Sequence, residues 1–144
     1  MKIVSILFTC IVFILTGCAT TAPVQSTETK IRQSLLEQLE LYSQETLSFL
    51  ASDSEENAIS KAKDVVRQEL KDPSSAQFQN LQIKPYSKGK VICGEVNGKN
   101  SYGGYVGFKK FVASPRSVML LNTGNRFPEI DRVNNFGIYT ACGN

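Results

Sequence analysis

Lys90-Val91-Ile92-Cys93-Gly94-Glu95-Val96-Asn97 alternates side by side, and Asn97-Gly98-Lys99-Asn100 then breaks the alternation with turn residues. Val91, Cys93 and Glu95 fall on one side, Ile92, Gly94 and Val96 on the other, which is the period of a strand. Asn-Gly supplies residues that tolerate positive φ, so the stretch predicts the first arm and turn of a β-hairpin. A partner strand is expected over roughly Tyr102 to Ala113, with Val106, Phe108 and Val112 on one face and Tyr105 and Phe111 on the other. Ser114-Pro115-Arg116 turns the chain again, and Val118 to Leu121 predicts a further strand. Asn122 to Asn135 lacks periodicity and reads as a long loop, after which Phe136 to Cys142 is expected as a last strand. Upstream, Phe78 to Lys84 alternates Leu81 and Ile83 with polar residues and leads into a turn at Tyr86 to Gly89.

Before Pro73 the period lengthens. Ala58, Ile59, Ala62, Val65, Val66 and Leu70 mark one face of a helix. Asp53 or Ser54 is placed to cap it, with Glu56 three residues after Asp53. Asp72-Pro73 ends it, because the residue before proline is pushed out of the α region. An earlier helix follows from Ile31, Leu35, Leu39, Tyr42, Phe49 and Leu50, which predict helical structure from about Thr29 to Leu50 within a segment 30–52. Its apolar face is wide enough for self-association as well as for packing. One helix laid on an antiparallel sheet of four or five strands makes residues 53–144 a two-layer α+β domain.

The N-terminus predicts an address. Lys2 supplies a positive start, Ile3 to Leu15 an apolar run, and Leu15-Thr16-Gly17-Cys18 resembles the bacterial lipobox, in which the cysteine is acylated and becomes the first residue. The apolar run is short for about 30 Å of hydrocarbon. Residues 1–17 are therefore expected to be a signal peptide, with covalent lipid on Cys18 as the chain's one attached group and no other cofactor. Residues 18–29 are rich in Thr, Ala, Pro, Gln and Ser and read as a flexible tether. Ala19 and Thr20 after the cysteine, with no aspartate, imply an outer-membrane lipoprotein whose domain faces the periplasm.

Cysteine use agrees with export. Cys10 leaves with the signal peptide and Cys18 takes lipid, so Cys93 and Cys142 remain, and an oxidising compartment favours their pairing. Two thiols without any histidine are too few ligands for zinc, and the spacing is not that of a redox C-x-x-C pair. Charge is split along the chain. Cys18 to Lys84 carries 7 basic and 10 acidic side chains, whereas Pro85 to Asn144 carries 8 basic and 3 acidic. The basic half suits an anionic surface or an acidic partner, yet it falls far short of a nucleic-acid footprint.

Two motifs stand out, Asp72-Pro-Ser-Ser-Ala-Gln-Phe78 and Cys93-Gly-Glu-Val-Asn-Gly-Lys-Asn-Ser-Tyr-Gly-Gly-Tyr-Val-Gly-Phe108. Together they resemble a family of small exported bacterial domains, many lipid-anchored, that share D-P-x-S-A-x-F and C-G-x-V-N-x-K-N-x-x-G-G-Y-x-G-F. The resemblance implies an architecture and no activity. Asn97, Lys99, Asn100, Tyr102 and Tyr105, with Arg116, read either as the rim of a recognition surface or as a tight hairpin whose asparagines bond their own backbone. A phosphate loop is not implied, because strand rather than a helix N-terminus follows the glycines.

Enzymatic function finds little support. The chain has no histidine, which removes the commonest general base. Glu95, Glu129 and Asp131 are the only acids after Pro85, and Glu95 is placed to pair with Lys109 or Lys110 across the hairpin. The expectation is a non-enzymatic, membrane-anchored lipoprotein that binds another envelope macromolecule, a protein, through the 97–105 hairpin. The alternative is an inhibitor or immunity-type lipoprotein that blocks a lytic enzyme or toxin.

Overall fold

The structure, a computed structural model, describes residues 26–123 and 128–143. The expected signal peptide, the expected lipidation site Cys18 and most of the expected tether lie outside the described residues. The elements run α1 (Thr27–Leu50), α2 (Glu55–Gln68), a 3-10 turn (Pro73–Ser75), β1 (Gln77–Tyr86), β2 (Gly89–Asn97), β3 (Lys109–Ala113), β4 (Val118–Leu120), α3 (Pro128–Asn134) and α4 (Phe136–Cys142). The fold is α+β, with a four-stranded antiparallel meander in the order β1-β2-β3-β4. Among the described residues no helix is long and apolar enough to cross a membrane.

Capping explains where the first two helices begin. Ser26 Oγ accepts from the Thr29 backbone N–H, starting α1 two residues earlier than its apolar stripe suggests. Ser54 caps α2 by accepting from the Asn57 N–H. Asp53 accepts from the Ser54 N–H and from the Asn57 side-chain amide, so Asn57 rather than Glu56 closes the cap.

The alternation of β2 divides the core as its spacing predicts. Ile92 and Val96 join Phe111 and Ala113 beneath Ala58, Ala62 and Val66 of α2. Val91 and Cys93 point the other way with Val112 and meet Leu39 and Tyr42 of α1 and Ile138 of α4. Helix α2 on the sheet is the expected two-layer unit, and α1 and α4 add cover to the opposite face. Phe49 and Leu50 at the end of α1 reach the α2 side of the core. Where α1 passes the β1–β2 turn the contact is backbone-close: Ser43 Oγ donates to the Tyr86 carbonyl at 2.8 Å. Any Cβ on Gly89 would run into the Ser43 backbone carbonyl, so only glycine fits there. Leu36, Leu41 and Leu47 of the α1 stripe stay exposed.

Three expectations change. Phe136 to Cys142 is helix α4 and not a fifth strand. Phe136, Ile138 and Cys142 fit an alternating face, while Ile138, Ala141 and Cys142 fit a helical one, and seven residues are too few for length to arbitrate. Here the ladder beyond β3 is already occupied by the short β4, extended by the Leu121 N–H bonding the Lys110 carbonyl at 2.8 Å. The segment instead coils onto the face that carries Cys93. The loop expected over residues 122–135 contains α3, which opens with Pro128 and then Glu129 and Asp131, favourable residues for a first turn. The strand expected from Tyr102 begins only at Lys109, for reasons that belong to the site.

Candidate functional site

Cys93 and Cys142 form a disulfide, with Cα atoms 5.7 Å apart. It bolts the last turn of α4 to the centre of β2. The C-terminal carbonyls of α4 meet two cations: Lys84 Nζ donates to the Cys142 carbonyl at 2.8 Å and Lys110 Nζ to the Gly143 carbonyl at 3.2 Å. Positive side chains at a helix C-terminus complement its partial negative charge. This use of Lys110 corrects the expected pair with Glu95. Although Glu95 and Lys110 face each other in register, Glu95 Oε2 accepts from Gln79 Nε2 at 2.6 Å and Asn80 Nδ2 at 3.1 Å. Asn80 reaches it from a bulge, where Asn80 and Leu81 together oppose Gly94 and Asn80 adopts φ 54°.

Residues 98–108, between β2 and β3, form a loop built by asparagine side chains. Asn100 Oδ1 accepts from the backbone N–H groups of Tyr102 at 2.9 Å and Gly104 at 3.1 Å. Asn97 Oδ1 accepts from the Gly107 N–H at 3.0 Å. These bonds take donors that a strand ladder would have used. Gly103 and Gly107 adopt φ of 81° and 93°, a region that other residues enter at a cost. The expected pairing forms only from Val96–Lys109 onward, and within the loop a single bridge, Lys99 to Tyr105, stands in its place.

The loop is also tied to the first motif. Ser75 Oγ donates to the Asp72 carbonyl and accepts from the Lys99 N–H, both at 2.8 Å. The Ser74 hydroxyl donates to the Asp72 carboxylate at 2.6 Å and, as the largest influence, holds its pKa below the ordinary aspartate value. Lys99 adds a smaller effect in the same direction. Leu70 lies against Gly98, where an added Cβ would come within 3.1 Å of it. The two motifs are therefore one structural unit: the Asp-Pro-Ser-Ser turn holds the base of the glycine-rich loop.

That loop displays apolar surface. Tyr102 is 97 % exposed, and Tyr105, Val106 and Phe108 are exposed as well. Lys99 Nζ lies 5.5 Å from the centre of the Tyr105 ring. Of the six candidate binding residues, Asn97, Lys99, Asn100, Tyr102 and Tyr105 come together here, Asn97 and Asn100 as the loop's scaffold. Arg116 does not join them. It follows β3 at the opposite end of the sheet, a strand's length away (about 15 Å). There Ser114 Oγ accepts from the Arg116 and Ser117 N–H groups and donates to the Glu45 carboxylate.

Val106 and Phe108 were assigned to a strand face by their spacing, so their exposure was missed. The glycines at 103, 104 and 107, before and between them, are the signal in the sequence against a regular strand. Lys71 and Lys109 also stand beside the loop, a grouping that their positions in the chain do not reveal. Among the described residues, no three of the cysteines, aspartates and glutamates lie close enough together to hold a metal ion.

No family model matches the chain, and searches of the curated proteins and of the solved structures found no match either.

Proposed function

We propose that this chain is a lipid-anchored protein of the bacterial envelope, one of the small exported domains that share its two motifs. In this reading it is non-enzymatic and binds another envelope protein through the loop at Asn97 to Phe108. The observation that carries the reading is the exposure of Tyr102, Tyr105, Val106 and Phe108 on a loop held by side-chain-to-backbone hydrogen bonds. Exposed aromatic and aliphatic side chains clustered on one element mark an interaction surface. Tyr, Asn and Gly form adaptable contacts, and a loop already ordered loses little entropy on binding.

An inhibitor that enters an acidic catalytic cleft would need a basic tip. The tip here is Tyr102, Lys99 is folded over Tyr105, and Arg116 is at the far end of the sheet. These placements favour the adaptor reading over the inhibitor.

The Tyr102→Ala/Tyr105→Ala variant is expected to keep the wild-type circular dichroism and thermal midpoint. Cross-linked capture of its partner in detergent-solubilised envelopes should fall at least tenfold. Unchanged capture by a folded variant would remove the loop from the reading. Anchoring has its own check. The mature chain should begin at Cys18 and carry the mass of a diacylglycerol and an amide-linked acyl chain, which an unmodified Cys18 would contradict.

A further inference from the structure

We infer that the recess beside the loop accepts an acidic peptide segment bearing one aliphatic side chain. The inference rests on the loop being a recognition surface, and it names the chemistry of what the loop recognises. The recess has a volume of about 240 Å³ and lies between the end of α2, the loop and the β3–β4 pair. Its apolar lining is Leu70, Val96 and Leu120, with the exposed Val106 at its edge. Around it stand Lys71, Lys99 and Lys109, against one acid, Glu69. At roughly 30 Å³ per water, the space holds about eight waters, comparable to one leucine-sized side chain with some of its backbone.

Charge selects the occupant. Among the described residues the ion pairs are Arg32–Glu28, Arg67–Asp64 and Lys90–Glu55, so none of the three lysines around the recess is neutralised by a carboxylate at contact distance. Lys99 stacks on Tyr105, and its influence reaches Asp72 only as a minor effect. Three lysines lining a recess with apolar walls suit a partner whose carboxylates flank an aliphatic side chain. A peptide also brings backbone N–H groups for Glu69 and carbonyls for the Asn100 amide, both of which line the recess. An anionic lipid surface fits less well, because it would meet the projecting Tyr102 first and would set Glu69 against like charge.

The probe is the acetylated, amidated peptide Asp-Glu-Leu-Asp-Glu, titrated into the full mature chain in neutral detergent micelles and followed by methyl NMR. The methyl signals of Leu70, Val106 and Leu120 should shift together and saturate. Affinity should fall at least tenfold in Lys71→Glu/Lys109→Glu, whose lysines are surface groups that can be reversed without disturbing the core. It should fall several-fold between 50 and 500 mM salt, where screening shortens the reach of exposed charges. Replacing the peptide's leucine by glycine should abolish the methyl shifts. Silent methyl signals, or binding indifferent to the charge reversal, would overturn the inference. Shifts produced by phosphatidylglycerol added to the micelles, and not by the peptide, would assign the recess to lipid and overturn it equally. If Tyr102→Ala/Tyr105→Ala loses capture while the peptide is silent, the loop stands and the acidic partner falls. If the peptide binds while capture is unchanged, the recess stands and the loop reading falls.

Discussion

Replacing Cys93 and Cys142 together by alanine is expected to cost about 4 kcal/mol of stability. The bond closes a 49-residue loop, and removing it frees the unfolded chain to sample the conformations that closure excludes. For a domain of this size the thermal midpoint should fall by roughly 10 °C or more. The loss should not be uniform. Helix α4 has seven residues, far below the length at which a helix persists unaided in water. Its attachments include the disulfide, the burial of Ile138, the lysine contacts from Lys84 and Lys110 and the Arg32 guanidinium over the Phe136 ring. Hydrogen exchange in Phe136 to Cys142 should therefore quicken before the sheet opens. Detachment would bare Val91, Val112 and Leu39, so binding of a hydrophobic dye should rise in the same variant. A midpoint for the double variant within 3 °C of the oxidised wild type would show that α4 is held in place without the disulfide.

Phe111→Ala is expected to cost about 3–5 kcal/mol, the range for deleting a buried phenylalanine. Phe111 is fully buried and meets Phe78 edge-on, with ring centres 6.2 Å apart and planes at 89°. Its ring lies across Gly94 on the paired strand, filling the space that a side chain there would take. The cavity left by alanine would open toward Ile92, Val96 and the alanines of α2, which are too short to collapse into it. Total stability of a domain this size is of order 5–15 kcal/mol, so the variant should unfold at a much lower urea concentration. The slope of the transition should not change. A shift worth under about 2 kcal/mol would mean that the core relaxes around the missing ring. Phe111 also starts the buried part of β3, directly after Lys109 and Lys110. Any loss of partner capture in this variant would report the frame, whereas loss in Tyr102→Ala/Tyr105→Ala would report the surface.

Much of the site was legible one residue at a time. The end of β2 at Asn97 was legible, but the chain turns later than Asn97-Gly98 implies: neither of those residues adopts positive φ, and the tight turn is Asn100 to Gly103, closed by the Gly103 N–H on the Asn100 carbonyl at 3.0 Å. The grouping was not legible. Arg116 and the loop carry similar chemistry, and nothing in the chain says that five residues of β3 separate them. Lys71 precedes Lys99 by 28 positions and is brought to the same recess by the Ser75–Lys99 bond, which no periodicity encodes. Glu95 shows the same limit: strand register predicts Lys110 opposite, yet Gln79, its partner on β1, and Asn80 from the bulge supply two amide donors that take the carboxylate first.

Residue order alone determined the α+β class, the two-sided burial of β2 and the pairing of Cys93 with Cys142. Those properties depend on neighbours within a few positions, or on counting. Tertiary structure decided that Phe136 to Cys142 coils instead of extending, and that Tyr102 to Phe108 leaves the sheet. It also decided which lysines surround one recess. A short apolar segment satisfies both periods until it meets the surface it must cover, and here that surface was the face of β2 presenting Val91 and Cys93.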